Sequence, residues 1–389
     1  MNSPSETGSA APVLRYRDGA RLWKGVTALV KMSDVARRAN VAVSTVSHVV
    51  NNTRHVQPET RAAVEAAIAE TGYVPNSLAR QLARGGGQTN TIGVALAAVS
   101  NPYFIDLVGA IVRGLSARGK MVFLADTAED PAREIEIIRS FHRRRVDGIL
   151  LAPAGVSAPW PTLDYLARNK IPSVLVDRLI APAFSQAGCD NALGITLLYD
   201  HLRRRGHERI ALVAGQPLIA STTQRVAAFR ACAQAADAPV TGLIVTGTSD
   251  VAAARRATCA LLAAPKPPSA IMAGNNHAMI GVMQAIRDYG LTVPEQMAVV
   301  GFDDFEWADC FQPRLTVVRQ PVEAIAEAAL TLLDQAMETP AAPPQTRIFA
   351  PELVLRDSCG APVKPFSPEG ARVRQAHSGL VASSQDCSV

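Results

Sequence analysis

From Thr91 onward the chain alternates short apolar runs with longer amphipathic stretches. The runs are TIGVALAA (91–98), KMVFLAD (120–126), VDGILLAP (146–153), IPSVLVD (171–177), RIALVAG (209–215), GLIVTG (242–247), SAIMAGN (269–275) and MAVVGFDD (297–304). Between them, stretches such as AREIEIIRSFHRRR (132–145) and HAMIGVMQAIRDYG (277–290) space their apolar residues for a helix. Strand and helix in steady alternation mean parallel sheets covered by helices. Residues 91–357 are many for one open sheet, and two α/β lobes fit better.

Before this region the pattern differs. Residues 31–75 form a compact helical block. Ser33 can N-cap a first helix, Asp34 suits its positive end, and Val35, Ala36 and Ala39 make its apolar face. Asn40 sits at a turn and tolerates a left-handed backbone. A second helix is predicted over 43–51. Its Val46, Val49 and Val50 point inward, leaving Ser44, Thr45, Ser47, His48 and Asn51 outside. Pro58, Glu59 and Gly72 mark the start and end of a third. This order matches a helix-turn-helix unit; the alternative is a small bundle that merely packs. Residues 1–30 and 358–389 are rich in small and polar residues and read as a disordered extension and tail. The tail has no heptads.

Composition narrows the function classes. The 389 residues are 48% hydrophobic and 19% charged, which suits a soluble protein of two or three domains. No apolar run is long enough for a membrane span, and the N-terminus has no signal-like core, so the expected location is cytoplasmic, at the nucleoid. Cysteines at 189, 232, 259, 310, 359 and 387 are too scattered for a zinc site or a disulfide framework. No G-x-G-x-x-G follows a strand, no phosphate-binding G-x-x-x-x-G-K-[ST] occurs, and no catalytic triad or carboxylate pair is evident, so the chain does not read as an enzyme. No metal or cofactor is implied. The net charge of +5 lies entirely in residues 1–90, which hold 11 basic and 6 acidic residues. A basic head on a neutral body suggests a polyanion partner, although Arg15, Arg17, Arg21 and Lys24 lie in the extension.

The stretch SDVARRANVAVSTVSHVVNNTRHVQPETRAAVEAAIAETGYVPNSLARQLA resembles the headpiece of the lactose-repressor (LacI/GalR) family, most closely its purine-repressor branch. The similarity continues through TIGV, SNPYF, RVDGILL, DNALG, HLRRRGHERIALVAG, VVGFDD and LTVVRQP, and covers residues 31–357. It implies an all-α helix-turn-helix headpiece (31–75), a hinge helix with its linker (76–90), and an α/β two-lobed core (91–357) like periplasmic sugar-binding proteins. The implied partners are pseudo-palindromic double-stranded operator DNA, a second copy of the chain, and a small effector, a sugar or related metabolite, that sets the grip on DNA.

The resemblance also assigns residues. Val43 and Ser44 stand at base-reading positions of the second helix, and their methyl and hydroxyl chemistry suits base edges. Thr45, Ser47 and Asn51 would meet phosphates, His48 a purine N7, and Arg54 a base beyond the helix. Ala42 replaces the family's usual capping Ser, which costs helix stability. In the hinge, NSLARQLAR, Ala79 and Arg80 would follow the minor groove and Leu82 would wedge into it. Effector contacts fall on Tyr103, Phe104, Asp177, Arg178, Arg225, Asn275, Asp303 and Gln320. The purine branch's second ligand arginine falls at Ile219 and its stacking phenylalanine near Ser249, so purine bases are not expected to bind. Asn276 replaces the family's common Asp. Residues 1–29 lie outside the family pattern, and one expectation is that translation starts near Met32.

Overall fold

The computed structural model describes residues 30–74, 88–98, 100–154, 160–235, 243–246 and 250–360. The extension, the tail beyond Gly360, Ser249 and the hinge segment with Ala79, Arg80 and Leu82 lie outside the described residues. The chain divides into two compact units, residues 1–87 and 88–389.

In the first unit, α1 (Met32–Arg38), α2 (Val43–Asn51) and α3 (Pro58–Thr71) close around Val35, Val46, Val49, Val64, Ala67 and Tyr73. Helix α1 begins two residues earlier than its sequence suggests. Ser33 is inside the helix, and Lys31 is the N-cap. The capping work is done by Asp34, whose carboxylate accepts from the Lys31 backbone N–H at 2.9 Å. Asn40 takes the left-handed backbone (φ 53°) that the tight turn into α2 requires. Gly72 (φ 66°) ends α3 in the same way.

The second unit holds two sheets. The N-terminal lobe contains β1 (Thr91–Leu96), α4 (Pro102–Ala117), β2 (Met121–Asp126), α5 (Pro131–Arg143), β3 (Gly148–Leu151), α6 (Pro161–Arg168), β4 (Ser173–Val176) and β5 (Ser185–Cys189). The chain then crosses to the C-terminal lobe for α7 (Asn191–Arg204), β6 (Ile210–Ala214), α8 (Ala220–Ala235), β7 (Leu243–Thr246), α9 (Val251–Leu262), β8 (Ala270–Ala273), α10 (Asn276–Asp288), β9 (Ala298–Phe302) and β10 (Thr316–Arg319). Helix α11 (Val322–Glu338) and β11 (Thr346–Phe349) return to the first lobe, and β12 (Glu352–Val354) goes back to the second.

The sheet orders are β11-β5-β4-β3-β1-β2 and β12-β10-β9-β8-β6-β7. Every adjacent pair is parallel except β10–β12, which is antiparallel. Two apolar layers cover each sheet: α4 and α11 against α5 and α6 in one lobe, α7 and α8 against α9 and α10 in the other. Burial on both faces explains the nearly continuous apolar runs of β1, β3, β4, β6, β8 and β9.

Three crossings join the lobes: at Asp190, at Gln320–Pro321 and at Ala350–Pro351. Two of them are tied together, since the Asp190 N–H donates to the Phe349 carbonyl at 2.9 Å. The packed domain extends past the boundary placed at 357. Ser358 and Cys359 are buried, and the Ser358 hydroxyl donates to Val299 O (2.6 Å) while accepting from Thr316 N (2.8 Å). Their polarity masked a segment that seals the base of the second sheet.

Candidate functional site

The outer face of α2 carries the predicted reading residues. Val43 is 47% exposed, unusual for a valine, while Val46 and Val49 anchor the helix in the core. Ser44 is exposed beside it, and Thr45 is half-buried. Ala42 is the N-cap, without a side-chain hydrogen bond. Ser47 and Asn51, one turn apart, bond to each other (Nδ2 to Oγ 3.2 Å). The His48 ring is oriented by Thr53, with Nδ1 to Oγ1 2.9 Å, which points to Nε2 as the atom left for a partner. Arg54 lies in an exposed concave stretch with Asn52, His55 and Arg61. Arg37 and Arg38 are less free than a count of cations implies, because they pair with Asp34 and Glu70.

In the second unit, the strands of both lobes end at a common cleft, where parallel sheets place ligands. Two carboxylates meet there. Asp177 follows β4, Asp303 follows β9, and both adopt positive φ (65° and 78°) although neither is glycine. Such backbones are strained by about 1–3 kcal/mol and cluster at functional sites. Both carboxylates are buried. Burial pushes their pKa values up, against the pull of Arg178 and Arg225 on Asp177, and of Arg225 and Gln320 on Asp303.

The cations are held firmly. Arg178 donates both terminal nitrogens to Glu129 (2.6 and 2.7 Å) and one also to Pro153 O (2.6 Å). Arg225 donates to Asn191 Oδ1 (2.8 Å) and Gly274 O (2.6 Å), and its Cζ stands 3.5 Å from the centroid of the Phe302 ring. Its Nη1 is 3.8 Å from Asp303 Oδ2. Tyr103 and Phe104, packed with centroids 5.2 Å apart, close one wall. Burial, then the carboxylates of Asp177 and Asp303, raise the Tyr103 hydroxyl well above the usual phenol range.

Seven of the eight predicted effector residues line one inner cavity: Tyr103, Phe104, Asp177, Arg178, Arg225, Asn275 and Asp303. Gln320 does not line it. It stands behind Asp303 and donates to Oδ1 at 2.6 Å. Asn275 also has a structural task, accepting from Ala278 N (2.8 Å) to cap α10. Ile219, at the purine branch's arginine position, is an apolar part of the wall.

Pattern reading missed Glu129, Asn101 and Asn191. Each sits beyond a strand end, just before or inside a helix start, where any polar residue has a local role; Asn101 and Asn191 fall within the motifs SNPYF and DNALG, while Glu129 falls in none. The inner cavity measures about 50 Å³, beside a wider groove of about 940 Å³ that shares Tyr103 and Asp303. Buried polar atoms without hydrogen-bond partners gather here: Arg178 Nε, Asn276 Oδ1 and Gln320 Oε1.

Comparison with known proteins agrees with this arrangement. Residues 31–76 match the model of bacterial regulatory proteins, lacI family, and residues 199–359 that of a periplasmic binding protein-like domain. The ribose operon repressor of Escherichia coli K12 is 34% identical over 333 residues, covering 85% of this chain and all of that one. The transcriptional repressor PurR of Escherichia coli is 32% identical over 335 residues, covering 85% and 97%. The structure of the Lac repressor dimer bound to operator and the anti-inducer ONPF superposes with TM-score 0.77 at 26% identity, over 86% of this chain and 100% of that one. The chain belongs to the lacI family of bacterial regulatory proteins, DNA-binding repressors governed by small molecules.

Proposed function

We propose that the chain represses transcription as a homodimer on a pseudo-palindromic operator, and that a neutral monosaccharide bound between the lobes sets its hold on DNA. The observation that carries the effector class is the buried donor–acceptor ring at the cleft. Carboxylates Asp177 and Asp303 face guanidiniums Arg178 and Arg225, and Arg178 Nε, 3.6 Å from Asp177 Oδ2, makes no hydrogen bond. Unpaired buried polar atoms are costly, and a polyhydroxylated ligand satisfies donors and acceptors at once. With Glu129, three carboxylates oppose two guanidiniums, so an anionic sugar phosphate is disfavoured. Similarity to the ribose operon repressor makes ribose the first compound to test. Because the enclosed space is only about 50 Å³, entry of a sugar requires the lobes or side chains to shift, which couples binding to conformation.

On the DNA side, Val43, Ser44, His48 and Arg54 read bases, while Thr45, Ser47 and Asn51 position the helix on phosphates. Strand β2 supports the dimer. It is a sheet edge on which Met121 (71% exposed), Phe123 (43%) and Leu124 (44%) are left open, and exposed apolar edges call for a partner. The test is selection of bound sites from random DNA, followed by calorimetry with ribose, other pentoses, hypoxanthine and guanine. Recovery of a palindrome and binding of a pentose support the proposal. Micromolar binding of a purine base, or no selected site, refutes it.

A further inference from the structure

The charged side chains of the inner cavity are largely engaged with one another. Glu129 holds Arg178 through two hydrogen bonds, Arg225 is tied to Asn191 and Gly274 O, and Asp303 accepts from Gln320. The amides Asn101 and Asn275 each cap a helix start. Three lining side chains stand apart. Among the described residues, Ser221, Thr222 and His277 make no side-chain hydrogen bond, ion pair or ring contact. All three belong to the C-terminal lobe, at the starts of α8 and α10.

His277 has no task within its own helix. It is the second residue of α10, whose start is capped by Asn275 and whose buried face is carried by Ala278, Met279 and Val282. The residue is half-buried and its place is in the cavity wall. A polar group withdrawn from water gains from a partner there.

The three free groups do not recognise a ligand alike. A serine or threonine hydroxyl rotates to give or accept a hydrogen bond as its partner demands, so it tolerates many arrangements. An imidazole holds its two nitrogens in one plane, and in the neutral ring one gives while the other accepts. Such a ring distinguishes a hydroxyl that points at it from the same hydroxyl inverted. Ile219, on the same lobe, is apolar and adds no polar contact.

We propose that His277 selects the effector: its ring hydrogen-bonds one sugar hydroxyl from the C-terminal lobe and so discriminates between pentoses that differ in configuration at that carbon. Ser221 and Thr222 add affinity with little selectivity. This assignment rests on the reading of the cavity as a neutral-sugar site.

The test is calorimetry of the full chain with D-ribose and its epimers D-arabinose and D-xylose, repeated for His277→Phe and His277→Gln. Phenylalanine keeps a planar ring and removes both nitrogens, whereas glutamine keeps a group that gives and accepts. Thermal midpoints check that each variant folds. His277→Phe should bind the preferred pentose about tenfold more weakly, as expected for one hydrogen bond left unmade. It should lose less affinity for the other two, so that the preference narrows. His277→Gln should stay within about threefold of the wild type for the preferred sugar. Equal losses for all three pentoses, or no loss in His277→Phe, overturn the assignment while the sugar site stands. Failure of the wild-type chain to bind any pentose removes the sugar reading and this assignment with it.

Discussion

The side-chain amide of Asn276, in the C-terminal lobe, donates to Oδ1 of Asn101, in the N-terminal lobe, at 3.3 Å. Asn101 Oδ1 already accepts the Tyr103 N–H at 3.0 Å to cap α4, so the atom facing Asn276 must be an acceptor. Asn276 therefore has to present its NH₂. Its position, where the family commonly has Asp, lies beside the effector cavity, and the bond pulls the lobes together.

Asn276→Asp sets acceptor against acceptor across the lobes. A neutral hydrogen bond of this kind contributes about 1 kcal/mol. If closure accompanies effector binding, the variant should bind its sugar about fivefold more weakly by calorimetry. Unchanged affinity would separate this bond from closure.

Asp177→Asn should abolish effector binding yet leave the fold at least as stable at neutral pH. The carboxyl has a raised pKa in the folded state because it is buried. A raised value means that its contribution to stability is complete below the unfolded carboxyl pKa of about 4 and is lost as pH rises through the folded value. The neutral amide avoids that loss. Urea midpoints of variant and wild type should therefore differ most near neutrality and converge as pH falls. A gap that widens in acid would contradict this assignment.

Asp304 carries the opposite sign. Burial opposes its ionisation, but hydrogen bonds from Arg356 and Arg319 outweigh burial and hold its pKa below the usual range. Its oxygens accept from Arg319 Nη2 (2.7 Å) and from both terminal nitrogens of Arg356 (3.0 Å each). The stability it contributes is present above the unfolded carboxyl value and is lost as pH falls through the folded one. Asp304→Asn should cost about 2 kcal/mol near neutral pH and almost nothing near pH 2, read from urea midpoints across that range.

Ala42→Ser restores a capping hydroxyl at the start of α2. Thr45 and Val46 already bond to the Ala42 carbonyl (2.9 and 3.2 Å), which leaves the first N–H groups of the helix for the new oxygen. The gain should be about 0.5–2 kcal/mol of local stability, visible as slower amide exchange in α2. No change in exchange would mean that the existing cap is sufficient.

The fold was legible where apolar periodicity was strong. Eight apolar runs correspond to β1–β4 and β6–β9. The four remaining strands were hidden for identifiable reasons. SQAGC (β5) is made of small and polar residues yet is almost wholly buried; TVVR (β10) is four residues long; TRIF (β11) and ELV (β12) are sheet edges with little apolar content. In the headpiece, Ser33 looked like the cap because Ser at a helix start usually is. Asp34 took over by bonding back to Lys31. At the cleft, residues with distinctive chemistry were found from the motifs. Their supports were not, because Glu129, Asn101 and Asn191 gain meaning only when distant segments meet. Gln320, expected at the ligand from its motif, lines the wider groove beside the inner cavity and also steadies Asp303.

The central claim is that a small molecule in the cleft controls the hold on DNA. Its most direct test is fluorescence anisotropy of the full chain on a labelled duplex recovered by site selection, titrated with ribose at fixed salt. Ribose should change operator affinity by at least about tenfold, within the usual range of coupling between two sites, and Asp177→Asn should bind the same duplex with wild-type affinity but no longer respond. Operator binding that no monosaccharide alters, or a response that persists in Asp177→Asn, would contradict it.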